Sequence, residues 1–188
     1  MAYFPAFVKL ERKKILIVGG GRVALEKLQH LLDFSMDIHI IAKDYSDDMF
    51  HLIQSHSLSY QQKDYVVGDI KGFDIIIIAV DDISLQAQIY GESRPFRCLC
   101  NAVDSIDYCD FIFPSYIKKG DLTVAISTSG ASPALAKQLR IYLQKLIPES
   151  ITEFLNEMKG LRKTLPKGKK RMQLLEEKAK AYIKKLKN

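Results

Sequence analysis

Three stretches of this 188-residue chain carry ligand-binding or reactive side chains at spacings with chemical meaning. Gly19-Gly20-Gly21-Arg22-Val23-Ala24 fits G-x-G-x-x-G/A, with Ala24 as the small last residue. The first glycine permits a tight turn, the second lets the backbone approach a pyrophosphate, and Ala24 lets a helix pack closely. Gly19, Gly21, Arg22 and Val23 are therefore candidate dinucleotide contacts; the alternative is a glycine-rich turn without a ligand. Asp44 lies about 20 residues beyond Ala24, where the fingerprint expects an acid on the ribose hydroxyls. Its neighbour Lys43 could tolerate a 2′-phosphate, and Asp44 can also be read as a loop residue leading into a helix. Asp104 closes Asn101-Ala102-Val103-Asp104, after an apolar run. Ser127-Thr128-Ser129-Gly130-Ala131-Ser132-Pro133 is a hydroxyl-rich turn into a helix N-terminus, suited to carboxylates. Alone, Asp104 reads equally as a loop Asp and Ser132 as an N-cap.

These residues need elements that hold them. Lys14 to Val18 and Phe73 to Val80 are short apolar runs that read as buried parallel strands. Ile38 to Ala42, Leu58 to Gln62 and Arg97 to Val103 read as further strands. Helical spacing runs from Val23 to about Phe34, and Ser46 caps a helix to His56 with Asp47 and Asp48 in its first turn. A third helix is expected over Asp82 to Glu92. Strand and helix alternate, so residues 1–112 are expected to form a Rossmann-type α/β domain, a parallel sheet with helices on both faces. Asp104 then sits at the carboxyl edge of the sheet, where open parallel sheets bind ligands. A strand over Asp121 to Ser127 and a Pro133-started helix to Ile147 suggest a small α+β region, residues 113–147. The strand's open edges predict a homodimer built there. After Pro148, helices over Glu149 to Arg162 and Arg171 to Lys187 make a C-terminal helical region, residues 148–188.

Composition narrows the classes. The net charge is +6 and 47% of residues are hydrophobic, an ordinary globular balance that excludes a disordered or fibrous chain. Twelve basic residues face only Glu176 and Glu177 from Lys159 onward, so the basic character belongs to the tail and the body is net acidic. No run is long enough to span a membrane and no signal peptide is visible, so the expected location is cytoplasmic. Cys98, Cys100 and Cys109 read as small buried thiols, and no metal is assigned to them.

Taken in order, the motifs resemble the precorrin-2 dehydrogenase family, including the N-terminal half of sirohaem synthase. The matching segments are Ile15 to Ala24, Glu26-Lys27, Ile78 to Asp82, Asn101 to Asp104, Phe111 to Ser115 and Val124 to Pro133 with Leu135-Ala136. Phe4-Pro5-Ala6-Phe7 is similar to the family's extended lead-in. The resemblance covers about residues 3–147. It implies oxidation of precorrin-2 to sirohydrochlorin with NAD as cofactor, a dimerisation region, and Asp104 as the essential acid, a general base or substrate-orienting group. It also implies Ser127, Thr128, Ser129 and Ser132 as candidates to meet the substrate's carboxylates. Thr128 stands where some relatives carry a phosphorylatable Ser. Two departures concern the nicotinamide pocket: Val80 replaces the usual Thr, and Ser84-Leu85-Gln86 lacks the familiar Asn.

The expected partners are thus precorrin-2 and a second copy of the chain, with no nucleic acid and no membrane. One alternative is a bifunctional enzyme that also inserts Fe²⁺, although no His follows His56. Others are a non-catalytic NAD-sensing module, which gives no reason for the motifs at 101–104 and 111–115, and a nucleic-acid binder resting on the tail.

Overall fold

The computed structural model describes residues 3–186, which divide into two compact units meeting between Ile112 and Phe113. In the first unit five parallel strands take the order β3-β2-β1-β4-β5. They are β1 (Ile15–Val18), β2 (Ile38–Ala42), β3 (Ser59–Gln62), β4 (Ile75–Ile78) and β5 (Leu99–Ala102). Every residue of β1 and β4 is buried, as expected of central strands covered by helices on both faces. Edge strand β3 is exposed throughout. Helices α1 (Arg22–Leu32), α2 (Asp47–Ser55) and α3 (Ile83–Phe96) make the crossovers. The chain leaves β1 towards β2 on one side and later returns to β4 on the other, so a crevice opens between the carboxyl ends of β1 and β4.

Local chemistry sets the helix starts. Ser46 accepts from the Met49 N–H at the head of α2, and Asp82 accepts from the Ser84 and Leu85 N–H groups at the head of α3. The Ser84 hydroxyl and these N–H groups hold Asp82 below the ordinary carboxylate range. α3 runs one turn beyond the Glu92 expected from sequence, through Pro95 to Phe96, and ends on Arg97 in the left-handed region (φ +56°). The extra turn is anchored by Arg94, which makes two hydrogen bonds to Asp110 (2.9 and 2.7 Å) and lies 4.0 Å from the centre of the Tyr90 ring.

In the second unit β6 (Ser115–Lys119) and β7 (Leu122–Ile126) form an antiparallel hairpin around Gly120-Asp121. The strand expected over 121–127 therefore has one edge paired, with a partner the polar sequence Ser-Tyr-Ile-Lys-Lys did not announce. Gly120 has φ +56°, and a Cβ there would stand 2.8 Å from a Thr152 methyl. Helices α4 (Pro133–Leu146), α5 (Ile151–Thr164) and α6 (Lys169–Leu186) follow. The last two are joined by a Phe154–Tyr182 stack (4.2 Å) and a Lys178–Glu157 ion pair (2.6 Å). Among the described residues no helix is long and apolar enough to cross a membrane.

Candidate functional site

The carboxyl edge of the five-stranded sheet opens into a cleft of about 630 Å³, lined entirely by first-unit residues. Its mouth is the glycine turn, and the three glycines do different work. Gly19 has φ +127°, and a Cβ there would stand 2.2 Å from the Ala79 carbonyl oxygen; a Cβ on Gly20 would stand 2.2 Å from that of Asp44. Both are required by close packing of backbone on backbone. A Cβ on Gly21 would meet nothing within 4 Å, so there the missing side chain leaves open space in the cleft. Gly21 is also the N-cap of α1, without a capping side chain and without an acid in the first turn. The first N–H groups of α1 and its positive dipole end are therefore available to an anion.

Arg22 and Val23 line the cleft, Arg22 pairing with Glu26 one turn on (3.1 Å). Lys43 and Asp44 leave β2 exposed at the cleft's edge. Beside them, Lys63, Asp64 and Tyr65 from the loop after β3 also line it, a contribution that nothing in the local sequence marks. That loop is fastened to α3 by Glu92, which accepts from the Tyr65 hydroxyl (2.6 Å) and the Gly68 N–H (2.7 Å). Burial and the neighbouring Glu92 carboxylate push the Tyr65 phenol well above its ordinary range.

Asp104 follows β5, exposed and lining the cleft near Val80 and Gln86. Its backbone lies in the left-handed region (φ +59°), a conformation that Asp and Asn tolerate better than other side chains. The loop that holds it is closed from both sides. The Asn101 amide donates to the Phe111 carbonyl (2.8 Å), the Cys109 thiol to the Ala102 carbonyl (3.1 Å), and the Cys100 N–H to Asp110 (2.8 Å). Burial alone would raise the Asp110 carboxyl, but Arg94 and the Cys100 N–H hold it below its usual range. Burial pushes all three thiols up, which keeps them protonated. Half-buried Lys27 on α1 has its ammonium lowered by burial, an effect opposed by Glu26 and Asp104.

Gln86 spans the floor. Its Nε2 donates to the Val80 carbonyl (2.7 Å) and the Val103 carbonyl (3.2 Å), joining the ends of β4 and β5, while its buried Oε1 has no partner among the described residues. The two departures from the family pattern thus both touch the cleft. An uncapped helix N-terminus, an open glycine cradle, an acid beyond β2 and a polar floor fit a dinucleotide.

Ser127, Thr128, Ser129 and Ser132 lie in the second unit. Ser127 Oγ accepts from the Ser129 N–H (3.0 Å), Thr128 Oγ1 from the Ser132 N–H (3.0 Å), and Ser132 Oγ from the Leu135 N–H (3.2 Å), capping α4. Ser129 and Gly130 both have positive φ (51° and 86°). No group of three or more His, Cys, Asp or Glu side chains converges as a metal site among the described residues.

Comparison with known proteins adds three findings. A family of NAD(P)-binding proteins matches residues 6–115, and the central region of sirohaem biosynthesis proteins matches residues 119–143. A siroheme synthase of Methylococcus capsulatus is 40% identical over 148 residues, covering 79% of this chain and 31% of its own length. Siroheme synthase 1 of Serratia proteamaculans is 36% identical over 151 residues, covering 80% and 32%. This chain therefore spans about a third of the length of the curated relatives it matches. Among solved structures, SirC, a precorrin-2 dehydrogenase, superposes with a TM-score of 0.79 at 26% identity, covering 93% of this chain and 88% of its own.

Proposed function

We propose, for a chain that belongs to the precorrin-2 dehydrogenase family of NAD(P)-binding proteins, the NAD-dependent oxidation of precorrin-2 to sirohydrochlorin. The observation that carries this reading is one cleft in which Asp104 shares the sheet edge with an open glycine turn and an uncapped helix N-terminus.

Bound NAD⁺ supplies an acceptor for the hydride that leaves the tetrapyrrole. The chain's own residues do the rest. Gly21 and the first N–H groups of α1 hold the pyrophosphate, and Asp44 accepts from the ribose hydroxyls, which favours NAD⁺ over NADP⁺. Asp104 takes the proton that must leave together with the hydride, or orients the carbon that loses it. Lys27 on α1 is near enough for the Glu26 and Asp104 carboxylates to favour its ammonium against burial, which keeps a cation beside the acid. The hydroxyls of Ser127, Thr128 and Ser132 accept from the backbone and keep their O–H groups, as Ser129 does, to offer the substrate's carboxylates.

The test is incubation of the protein with precorrin-2 and NAD⁺, following the tetrapyrrole spectrum and NADH together. Sirohydrochlorin and NADH are expected in equal amounts; no oxidation with either NAD⁺ or NADP⁺ would overturn the reading. Fe²⁺ or Co²⁺ added afterwards reads chelation separately.

The working form is a homodimer built on residues 113–147. Leu135, Leu139, Tyr142 and Leu146 recur at helical spacing along α4 and are all exposed, an apolar stripe beside a hairpin paired only with itself among the described residues. A second copy offers the same stripe, as a two-fold contact requires. Light scattering at micromolar concentration is expected to give twice the 21.4 kDa chain mass, and Leu139→Glu to halve it. A monomeric parent would rule the dimer out.

A further inference from the structure

At the β2–β3 end of the cleft two lysines emerge side by side. Ala42 stands opposite Gln62 in the parallel pairing, and the Lys63 N–H continues it by donating to the Ala42 carbonyl (2.9 Å). The Gln62 amide in turn donates to the Lys43 carbonyl (3.2 Å). Lys63 therefore leaves the sheet next to Lys43 and Asp44, and all three line the cleft.

The two cations differ in their surroundings. Lys43 makes no ion pair among the described residues, whereas the Lys63 ammonium sits 2.6 Å from Asp69 Oδ1. The other Asp69 oxygen accepts from the Val66 N–H (2.9 Å), and the Asp69 side chain is only 13% exposed. The carboxylate is thus fixed by its own loop and shielded from water, so it does not yield Lys63 easily to another anion.

A 2′-phosphate on the adenosine ribose brings nearly two negative charges to this edge, where Asp44 already repels it. Lys43 offsets only the Asp44 charge at this edge, so binding the phosphate needs a second cation whose charge is not spent elsewhere. We propose that Asp69 is a cofactor-selectivity residue: by holding Lys63 in a closed ion pair it withholds a phosphate-binding cation from the cleft, and so sets the preference for NAD⁺ over NADP⁺. The inference rests on the dinucleotide reading of the cleft given above.

Asp69→Asn removes the charge and keeps an oxygen for the Val66 N–H. Affinities for NAD⁺ and NADP⁺ are measured by titration calorimetry on the whole protein, at low and at physiological salt. NADP⁺ is expected to bind the variant about tenfold more tightly than the parent, the scale of one charge-assisted contact. The gain should shrink with salt and vanish in Asp69→Asn/Lys63→Met. If Asp69→Asn fails to fold, Asp69→Ser, whose hydroxyl can also accept from Val66, is measured instead. Unchanged NADP⁺ affinity on loss of the Asp69 charge, a gain that survives Lys63→Met, or a parent that prefers NADP⁺ each overturns the proposal. In those cases NAD⁺ binding by the parent leaves the cleft reading standing; a parent that binds neither dinucleotide removes both.

Discussion

Asp104→Asn is expected to lower the rate of NADH formation from precorrin-2 by about 10²–10⁴-fold, the usual cost of a lost general base. The same change should leave folding and NAD⁺ affinity nearly untouched. The backbone explains why Asn is the informative replacement. Asp104 sits at φ +59°, a region where Asn is accepted almost as well as Asp, whereas Ala would add strain of about 1–2 kcal/mol. The surrounding loop is held by Asn101, Cys109 and Asp110, none of which bonds through the Asp104 side chain. If Asp104 served only its loop, the Asn variant would lose about 1 kcal/mol or less and keep its activity. NADH production, thermal midpoint and NAD⁺ affinity on one preparation separate the two. Turnover within about threefold of the parent would show that the carboxylate is not the base.

Gly21→Asp is expected to abolish NAD⁺ binding, raising its dissociation constant by at least about 100-fold, in a protein as stable as the parent or more so. The two effects share one cause. Gly21 is the N-cap of α1 and has no neighbour for a Cβ to strike, so Asp enters without strain and its carboxylate caps the orphan N–H groups, an exchange worth a few tenths of a kcal/mol for the cap and about 0.3–1 kcal/mol for a negative charge at the positive end of the helix. Those are the groups a pyrophosphate needs, and the new charge repels it. Gly19→Ala should do the reverse. Its Cβ would stand 2.2 Å from the Ala79 carbonyl oxygen at φ +127°, so the turn cannot close and folded protein is lost. Calorimetric titration with NAD⁺ beside a thermal melt reads both. A folded Gly21→Asp protein that still binds NAD⁺ at parental affinity would remove the pyrophosphate from this turn.

Much of this was legible along the chain because burial in a parallel sheet is a local signal. Ile15 to Val18 and Ile75 to Ile78 are continuous apolar runs since both faces of a central strand are covered. The Ser46 cap and the glycine turn are equally local: each needs only a few neighbouring residues to satisfy its hydrogen bonds or its dihedral angles. The three cysteines, too, are the small buried or half-buried thiols that their lack of suitably spaced ligands implied. Other features left no local trace. β6 is largely polar, with Ile117 its one buried residue, and gains its identity from pairing with β7. α3 passes Pro95 because Arg94 is tied to Asp110, a residue met only in the fold.

The cleft divides the same way. Residue types and spacing were enough to place the glycine turn, Asp44 and Asp104 at the sheet's carboxyl edge, because each follows a strand that its own sequence defines. The neighbours of these residues were set by the strand order β3-β2-β1-β4-β5. It brings Lys63 beside Lys43, though the two are 20 positions apart, and lets Gln86 join the ends of β4 and β5. The polar side chains concerned show no periodicity, since periodicity records only which side of an element faces the core. Their meeting depends on the register of hydrogen-bonded strands, a property of the assembled sheet and not of any one segment.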